Sequence, residues 1–368
     1  MKILHTESSC GWGGQEIRVL AEAEGLARRG HDLVLAAPPE SRIFAEAGKR
    51  GLPARALPIA RKSFAGWRAL GTLLGSDPMD AVNTHSSTDS WLVALACLGL
   101  TNAPAVVRTR HISAPIPKNL LTRWLYRRAT DRIVTTGESL RVQVIEQTGT
   151  DPMHVTSVPT GIDLTRFRPG GRAAARERLG LPAEAFLVGI VATLRSWKGH
   201  LYLLDALAQI PDPRVKIVVV GTGPMEENIR RKAEQDGLAA RVIMAGHHDD
   251  VVPWLQGFDV FALPSYANEG VPQAVMQAMA CGLAVVTTGV GAIGEVAREG
   301  VTARVVPPRD AAALAAAILH LRDDPAERSR LGDAAAEEAR ARFSSEIMLD
   351  RMEAVFHSAM REAHGAPG

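Results

Sequence analysis

The stretch "SVPTGIDLTRFRPGG", Ser157–Gly171, decides how the rest of the chain is read. It holds Pro159, Pro169, three glycines and little apolar periodicity, so it reads as a break between structured segments. Before it, "KILHT" (2–6), "DLVLAA" (32–37), "DAVNTH" (80–85), "AVVRTR" (105–110) and "DRIVTT" (131–136) read as buried strands, most followed by helical patterns. After it the alternation restarts, with "FLVGIVA" (186–192), "VKIVVVG" (215–221), "RVIMAG" (241–246), "DVFALP" (259–264) and "AVVTT" (284–288). Two such series predict an α/β chain of two doubly wound, Rossmann-like domains with parallel sheets. The domains are expected at 1–160 and 161–344. The tail from about residue 310 reads as helix, rich in Ala, Arg and Glu, with no strand after "ARVVP" (303–307). Ligands of such sheets bind outside the carboxyl ends of the strands, and with two facing domains the expected active site is the cleft between them.

At 368 residues, 46% hydrophobic and 22% charged, the composition is that of a globular protein with room for two domains. No run approaches the roughly 18 apolar residues that span a bilayer. The start "MKILHTESS" meets Glu7 too soon for a signal peptide, so a cytoplasmic location is expected. Cys10, Cys97 and Cys281 are few, odd in number and far apart, which argues against a disulfide framework or a metal knot. Residues 1–160 carry 19 Lys+Arg against 14 Asp+Glu, and the remainder 23 against 26. That basic excess suits phosphates or membrane headgroups and is too small to argue for nucleic acid.

Several loops fall where ligands of such sheets bind. "ESSCGWGGQE" follows the first strand, and a helix is expected from Ile17 to Arg29. Gly13 and Gly14 before it suit either a tight turn or the approach of an anion to a helix N-terminus. The dinucleotide spacing G-x-G-x-x-G is absent, which disfavours a nicotinamide enzyme. Gly221 and Gly223 after "VKIVVV" suit a nucleotide or a plain turn. In "ATLRSWKGH", Arg195 and Lys198 place two cations at a strand's end, which suits either a departing diphosphate or a solvated face. His85 and His111 also follow strands, whereas "HHDD" (247–250) reads as a loop and helix cap, since consecutive residues cannot all face one metal ion. In "EGVPQAVMQAMACG" (269–282), Glu269 precedes a helix N-terminus with Pro272 near its first turn, and Gln273 and Gln277 share one helix face.

These segments in order, the Gly13-Gly14 turn, "VPTGID", "KGH", "VVVGTGP", "DVFALPS" and "EGVPQAVMQAMACGLAVVTT", resemble the retaining GT-B glycosyltransferases of family 4 over nearly the whole chain. The resemblance implies a GT-B fold, a final helix (about 345–364) packing back on the first domain, and a UDP- or GDP-sugar donor held by the second. Glu269 would contact the donor sugar, helped by the backbone of Gly270, Val271 and Pro272. Lys198, with a nearby Arg, would hold the diphosphate, His111 would reach the transferred sugar, and the Gly13-Gly14 turn would close over the phosphates. Gly221 and Gly223 would lie beside the nucleotide. Three positions depart from the family pattern: Gln277 stands where a second Glu is usual, Thr193 where an Arg is usual (Arg195 lies two residues on), and Thr160 where an Asn is common. The implied chemistry is front-face transfer without a metal or other cofactor, to a glycan or lipid-linked hydroxyl, in lipopolysaccharide or other surface polysaccharide synthesis in a bacterium.

The acceptor is expected on the first domain, where Glu7, Ser8, Ser9, Trp12, Gln15 and His85 offer hydroxyl-binding groups and an aromatic platform. "PKNLLTRWLYRRATDR" (117–132) interleaves basic and apolar residues. Leu120, Leu121, Trp124 and Leu125 would share a face, either packed in the core or lying on the inner surface of the cytoplasmic membrane. A nucleotide-sugar epimerase of the same architecture and a nucleotide-sugar-binding protein without turnover remain alternatives.

Overall fold

Uninterrupted Val, Ile, Leu and Ala runs are what a parallel sheet covered on both faces requires. The structure, a computed structural model describing residues 1–267 and 269–363, has two such sheets. The first contains β1 (Lys2–Thr6), β2 (Asp32–Ala37), β3 (Ala54–Ala56), β4 (Ala81–Thr84), β5 (Ala105–Arg110), β6 (Arg132–Thr135) and β7 (Val155–Ser157). They pair in parallel in the order β3-β2-β1-β4-β5-β6-β7. The second contains β8 (Phe186–Val191), β9 (Val215–Val220), β10 (Val242–Gly246), β11 (Val260–Leu263), β12 (Ala284–Thr288) and β13 (Ala303–Val306). These too are parallel, ordered β10-β9-β8-β11-β12-β13. The expected α/β class is what is found. Strand order reverses between β1 and β4 in one sheet and between β8 and β11 in the other, and ligands of doubly wound sheets bind at such points.

The chain divides into one compact unit of Met1–Gly161 plus the segment from Ser345 onward, and another of Ile162–Ser344. At the break, the Ile162 amide donates to the Phe343 carbonyl at 2.7 Å. The helical tail is three helices. Ala311–Asp323 and Pro325–Arg342 belong to the second unit, and Ser345–Ala363 to the first, residue 364 lying outside the described residues. Met348, Leu349, Met352 and Phe356 of that last helix join Ile3 and Val107 in the first unit's core. Leu349 lies against Gly25, where even a Cβ would come within 2.5 Å of it.

Two local expectations need correction. The helix expected from Ile17 begins at Gly14, with Gly13 as its N-cap residue. On the helix Leu120–Arg127 the apolar residues do not share one buried face. Asn119 caps it by accepting from the Thr122 amide (2.8 Å), and the inward stripe is Thr122, Leu125 and Tyr126. Leu120 and Leu121 are left 81% and 68% exposed. Periodicity groups residues on a face, but tertiary packing sets which face turns inward.

Candidate functional site

Beyond β8 the chain runs through Ala192–Arg195 into one 3-10 turn, Ser196–Lys198, and then the helix His200–Ala208. Its neighbour β11 leads by way of Pro264 and Ser265 toward the helix Gln273–Ala280. These loops meet at Gly199, which has φ +80°; a Cβ there would lie 2.0 Å from the Pro264 carbonyl oxygen. Only glycine allows that approach. It places Lys198 Nζ 2.7 and 3.0 Å from the two carboxylate oxygens of Glu269, while Ser265 Oγ donates to the first of them at 2.6 Å. Glu269 is 4% exposed and Lys198 21%. Gly291, at φ +62°, backs onto the Glu269 carbonyl, and Thr288 Oγ1 donates to the Ser265 carbonyl at 2.5 Å. An ammonium, a carboxylate and a hydroxyl are thus fixed together at the second switch point.

The surrounding residues divide into those that face outward and those that brace. Val271 and Pro272 are buried, and Gly270 half-buried, before the helix that carries Gln273 and Gln277. Both glutamines are half-buried, whereas Val275, Met276, Ala278, Met279 and Ala280 are buried, so the amides line that helix's accessible face. Gly221 and Gly223 pack on the backbone of Ala192 and Leu194. There the Leu194 amide donates to Thr222 O, and the Met225 amide to Leu194 O, each at 3.0 Å. These glycines therefore brace the loop that leads to Lys198. Thr193 and Arg195 are exposed; the Arg195 guanidinium lies 5.8 Å over the Trp197 ring and makes no ion pair with Glu269.

Around the first switch point, the polar residues mostly bind one another. Glu7 is buried and accepts from the Ser9 amide (2.8 Å) and the Gln15 side chain (2.5 Å). Burial, with Asp89 close by, pushes its carboxyl up to about 8. Ser8 and Ser86 share a hydrogen bond between their hydroxyls. Trp12 is half-buried, with Arg42 4.5 Å over its ring. A Cβ on Gly13 would meet only the Glu16 side chain, at 3.8 Å, so that glycine leaves the helix start open. His85 is 3% exposed and bonded through both ring nitrogens, to His5 at 2.9 Å and to His111 at 3.0 Å, which leaves it no atom for a ligand. His111, just past β5, is half-buried.

Among the described residues, no group of three or more His, Cys, Asp or Glu could hold a metal ion. "HHDD" disperses its bonds: His247 to Asp249, His248 to Ala245 O, and Asp250 to Arg166 and the Val252 amide. His5, Ser265, Thr288 and Gly291 were not singled out from the sequence. Ser265, Thr288 and Gly291 brace Glu269 within the second unit, His5 bonds His85 within the first, and nothing local in their segments marks that.

The chain matches the family "Glycosyltransferase Family 4" over residues 12–166 and "Glycosyl transferases group 1" over 185–324. It belongs to the group 1, family 4 glycosyltransferases. D-inositol 3-phosphate glycosyltransferase of Mycobacterium tuberculosis is 34% identical over 241 residues, 63% of this chain and 49% of that protein. The family 4 chain thus spans about half the length of the curated relatives it matches. A glycosyltransferase from Rickettsia africae superposes with a TM-score of 0.88 at 18% identity, covering 100% of this chain and 99% of that one. Anabaena HepE, solved with UDP-glucose, gives 0.84 at 20% identity, covering 97% and 100%. These likenesses establish the GT-B fold.

Proposed function

We propose that this chain moves a sugar from a nucleoside-diphosphate sugar to a hydroxyl of a glycan or lipid-linked acceptor, with retention of configuration. The observation that carries the reading is the Lys198–Glu269–Ser265 constellation at the second switch point. A diphosphate would draw the ammonium of Lys198, and the start of the helix Gln273–Ala280 adds a positive end. Glu269 would accept hydrogen bonds from sugar hydroxyls. The departing diphosphate's charge is met by these groups, and its oxygens would take the acceptor's proton, so the reading calls for orientation and charge stabilisation rather than a metal. UDP bound in the HepE structures favours a UDP-sugar donor over a GDP-sugar. The same acceptor chemistry suits the assembly of lipopolysaccharide or another surface polysaccharide.

A screen of UDP-, GDP- and ADP-sugars for nucleotide release, run in EDTA with and without acceptor glycans, tests this. Conversion of a pure donor to a sugar epimer with no acceptor present would show an epimerase instead. Donor binding without any release would show a binding protein.

In this reading Gln277 makes a neutral contact to the ribose where a carboxylate would make a charged one. Gln277→Glu is expected to tighten donor binding by about 1 kcal/mol, roughly fivefold in Kd. Calorimetry with the donor measures it, and an unchanged or weakened affinity removes Gln277 from the ribose.

The reading also includes contact with an anionic membrane surface. No helix among the described residues is long and apolar enough to cross a membrane. Leu120 and Leu121 stand exposed among Lys118, Arg123, Arg127 and Arg128. Trp124 stacks on Trp91, which carries Lys62 5.4 Å over its ring, and exposed Phe64 follows two residues on. Apolar side chains ringed by cations are what interfacial binding needs. Sedimentation with phosphatidylglycerol vesicles is expected to fall several-fold when Arg123, Arg127 and Arg128 become Gln. Pelleting that does not change removes the membrane from the reading.

A further inference from the structure

Three imidazoles cross the middle of the first sheet in a row. His5 lies in β1, His85 follows β4 and His111 follows β5, and these strands are neighbours. His5 Nδ1 is 2.9 Å from His85 Nε2, and His85 Nδ1 is 3.0 Å from His111 Nε2. The ring centroids are 5.2 and 5.3 Å apart, each close to the N···N distance plus two ring radii. The contacts are therefore end to end, not face to face, and the first two rings are within 8° of coplanar.

A neutral imidazole has one N–H and one lone pair. Because His85 is bonded at both nitrogens, the row has a direction: all three protons sit on Nδ1, or all three on Nε2. His5 decides between them. It is fully buried, and its Nε2 has no hydrogen-bond partner among the described residues, with Phe356 as its aromatic neighbour. A proton there would be a buried donor with nothing to receive it, which folded proteins rarely tolerate. With the protons on Nδ1, only a lone pair is left over in the core.

We propose that His5 is a positioning residue, which through His85 fixes His111 as a neutral ring presenting Nδ1–H to a sugar hydroxyl oxygen at the sheet's carboxyl edge. An uncharged donor suits a hydroxyl better than a diphosphate, which would call for a cation. The hydroxyl part of this inference rests on the sugar-transfer reading, whereas the tautomer part stands without it.

Long-range 1H–15N NMR of histidine-labelled full-length protein at pH 7, without ligand, reads the tautomers directly. The expected result is Nδ1–H on His5, His85 and His111; an Nε2–H or doubly protonated His111 overturns the proposal. His5→Leu, a change to an apolar side chain in an apolar setting, should release His111 into a mixture of tautomers. It should also lower the rate of nucleotide release from the turned-over sugar nucleotide on the order of tenfold. His5→Asn, whose amide nitrogen can replace Nδ1, should restore the single tautomer and most of the rate. An unmoved tautomer in His5→Leu, or a moved tautomer with a wild-type rate, refutes the positioning role. Wild-type protein that releases no nucleotide from any sugar nucleotide would instead sink the transfer reading and leave the tautomer result standing.

Discussion

Glu269→Gln is expected to lower kcat for sugar transfer about 10²–10³-fold, the scale of losing one preorganised electrostatic contact at a reacting centre. The amide keeps the shape of the carboxylate and an acceptor for Ser265 Oγ, but it removes the charge that holds Lys198. If the contact to the sugar strengthens as the bond to the diphosphate breaks, kcat and kcat/KM fall together. Stability should change by only about 1–2 kcal/mol. Breaking a fully buried ion pair costs about 3–5 kcal/mol, but Lys198 is one-fifth exposed and can regain water. Lys198→Ala should lose a comparable factor, and the double variant should lose much less than the product of the two, because both act on one donor. A near wild-type rate in Glu269→Gln would sink the site. Lost activity with a collapsed melting temperature would make the pair a structural clamp.

How far such a site can be read from sequence depends on where its information lies. Lys198 and Glu269 were legible because each lies in the loop that follows an apolar strand run, Glu269 just ahead of a helix start, and because "KGH" and "EGVPQAVMQAMACG" are segments that carry the family resemblance. The runs themselves were legible because strands buried on both faces are dominated by apolar residues: "KILHT", "DLVLAA", "AVVRTR" and "AVVTT" are β1, β2, β5 and β12 residue for residue. Strands β3 and β7 were missed because they are three-residue edge strands, too short to show a period. His5 was hidden inside a strand, since its partner His85 follows β4, the next ring His111 follows β5, and strand order is not a local property. Arg195 was suggested by its nearness to Lys198 in sequence; just ahead of the 3-10 turn it is exposed, with its guanidinium 5.8 Å over the Trp197 ring. Trp12, expected as an aromatic platform, has Arg42 over its ring, a contact formed by a helix some thirty residues on.

Gly199→Ala should damage both the fold and the site. At φ +80° an L-residue is strained by about 1–2 kcal/mol. Its Cβ would also stand 2.0 Å from Pro264 O and 2.7 Å from the carbonyl carbon, backbone atoms that cannot swing aside. Overpacking of this kind costs about 1–3 kcal/mol, so the sum is about 2–5 kcal/mol. For a unit of this size that lowers Tm by roughly 5–15 °C in a thermal melt. The relief has to come from separating the two loops, and they carry Lys198 on one side and Ser265 on the other. Transfer should therefore fall at least tenfold at temperatures where the variant is still folded, since small misplacements of oriented groups are costly. Gly180→Ala isolates the backbone part of the effect. Gly180 also has a left-handed φ, +64°, at the end of the helix Arg172–Leu179, but a Cβ there meets nothing within 4 Å. It should lose only the strain of about 1–2 kcal/mol and keep full activity. If Gly199→Ala proves no worse than Gly180→Ala in both melting and turnover, the two loops do not depend on that close approach, and Lys198 is held to Glu269 by the ion pair alone.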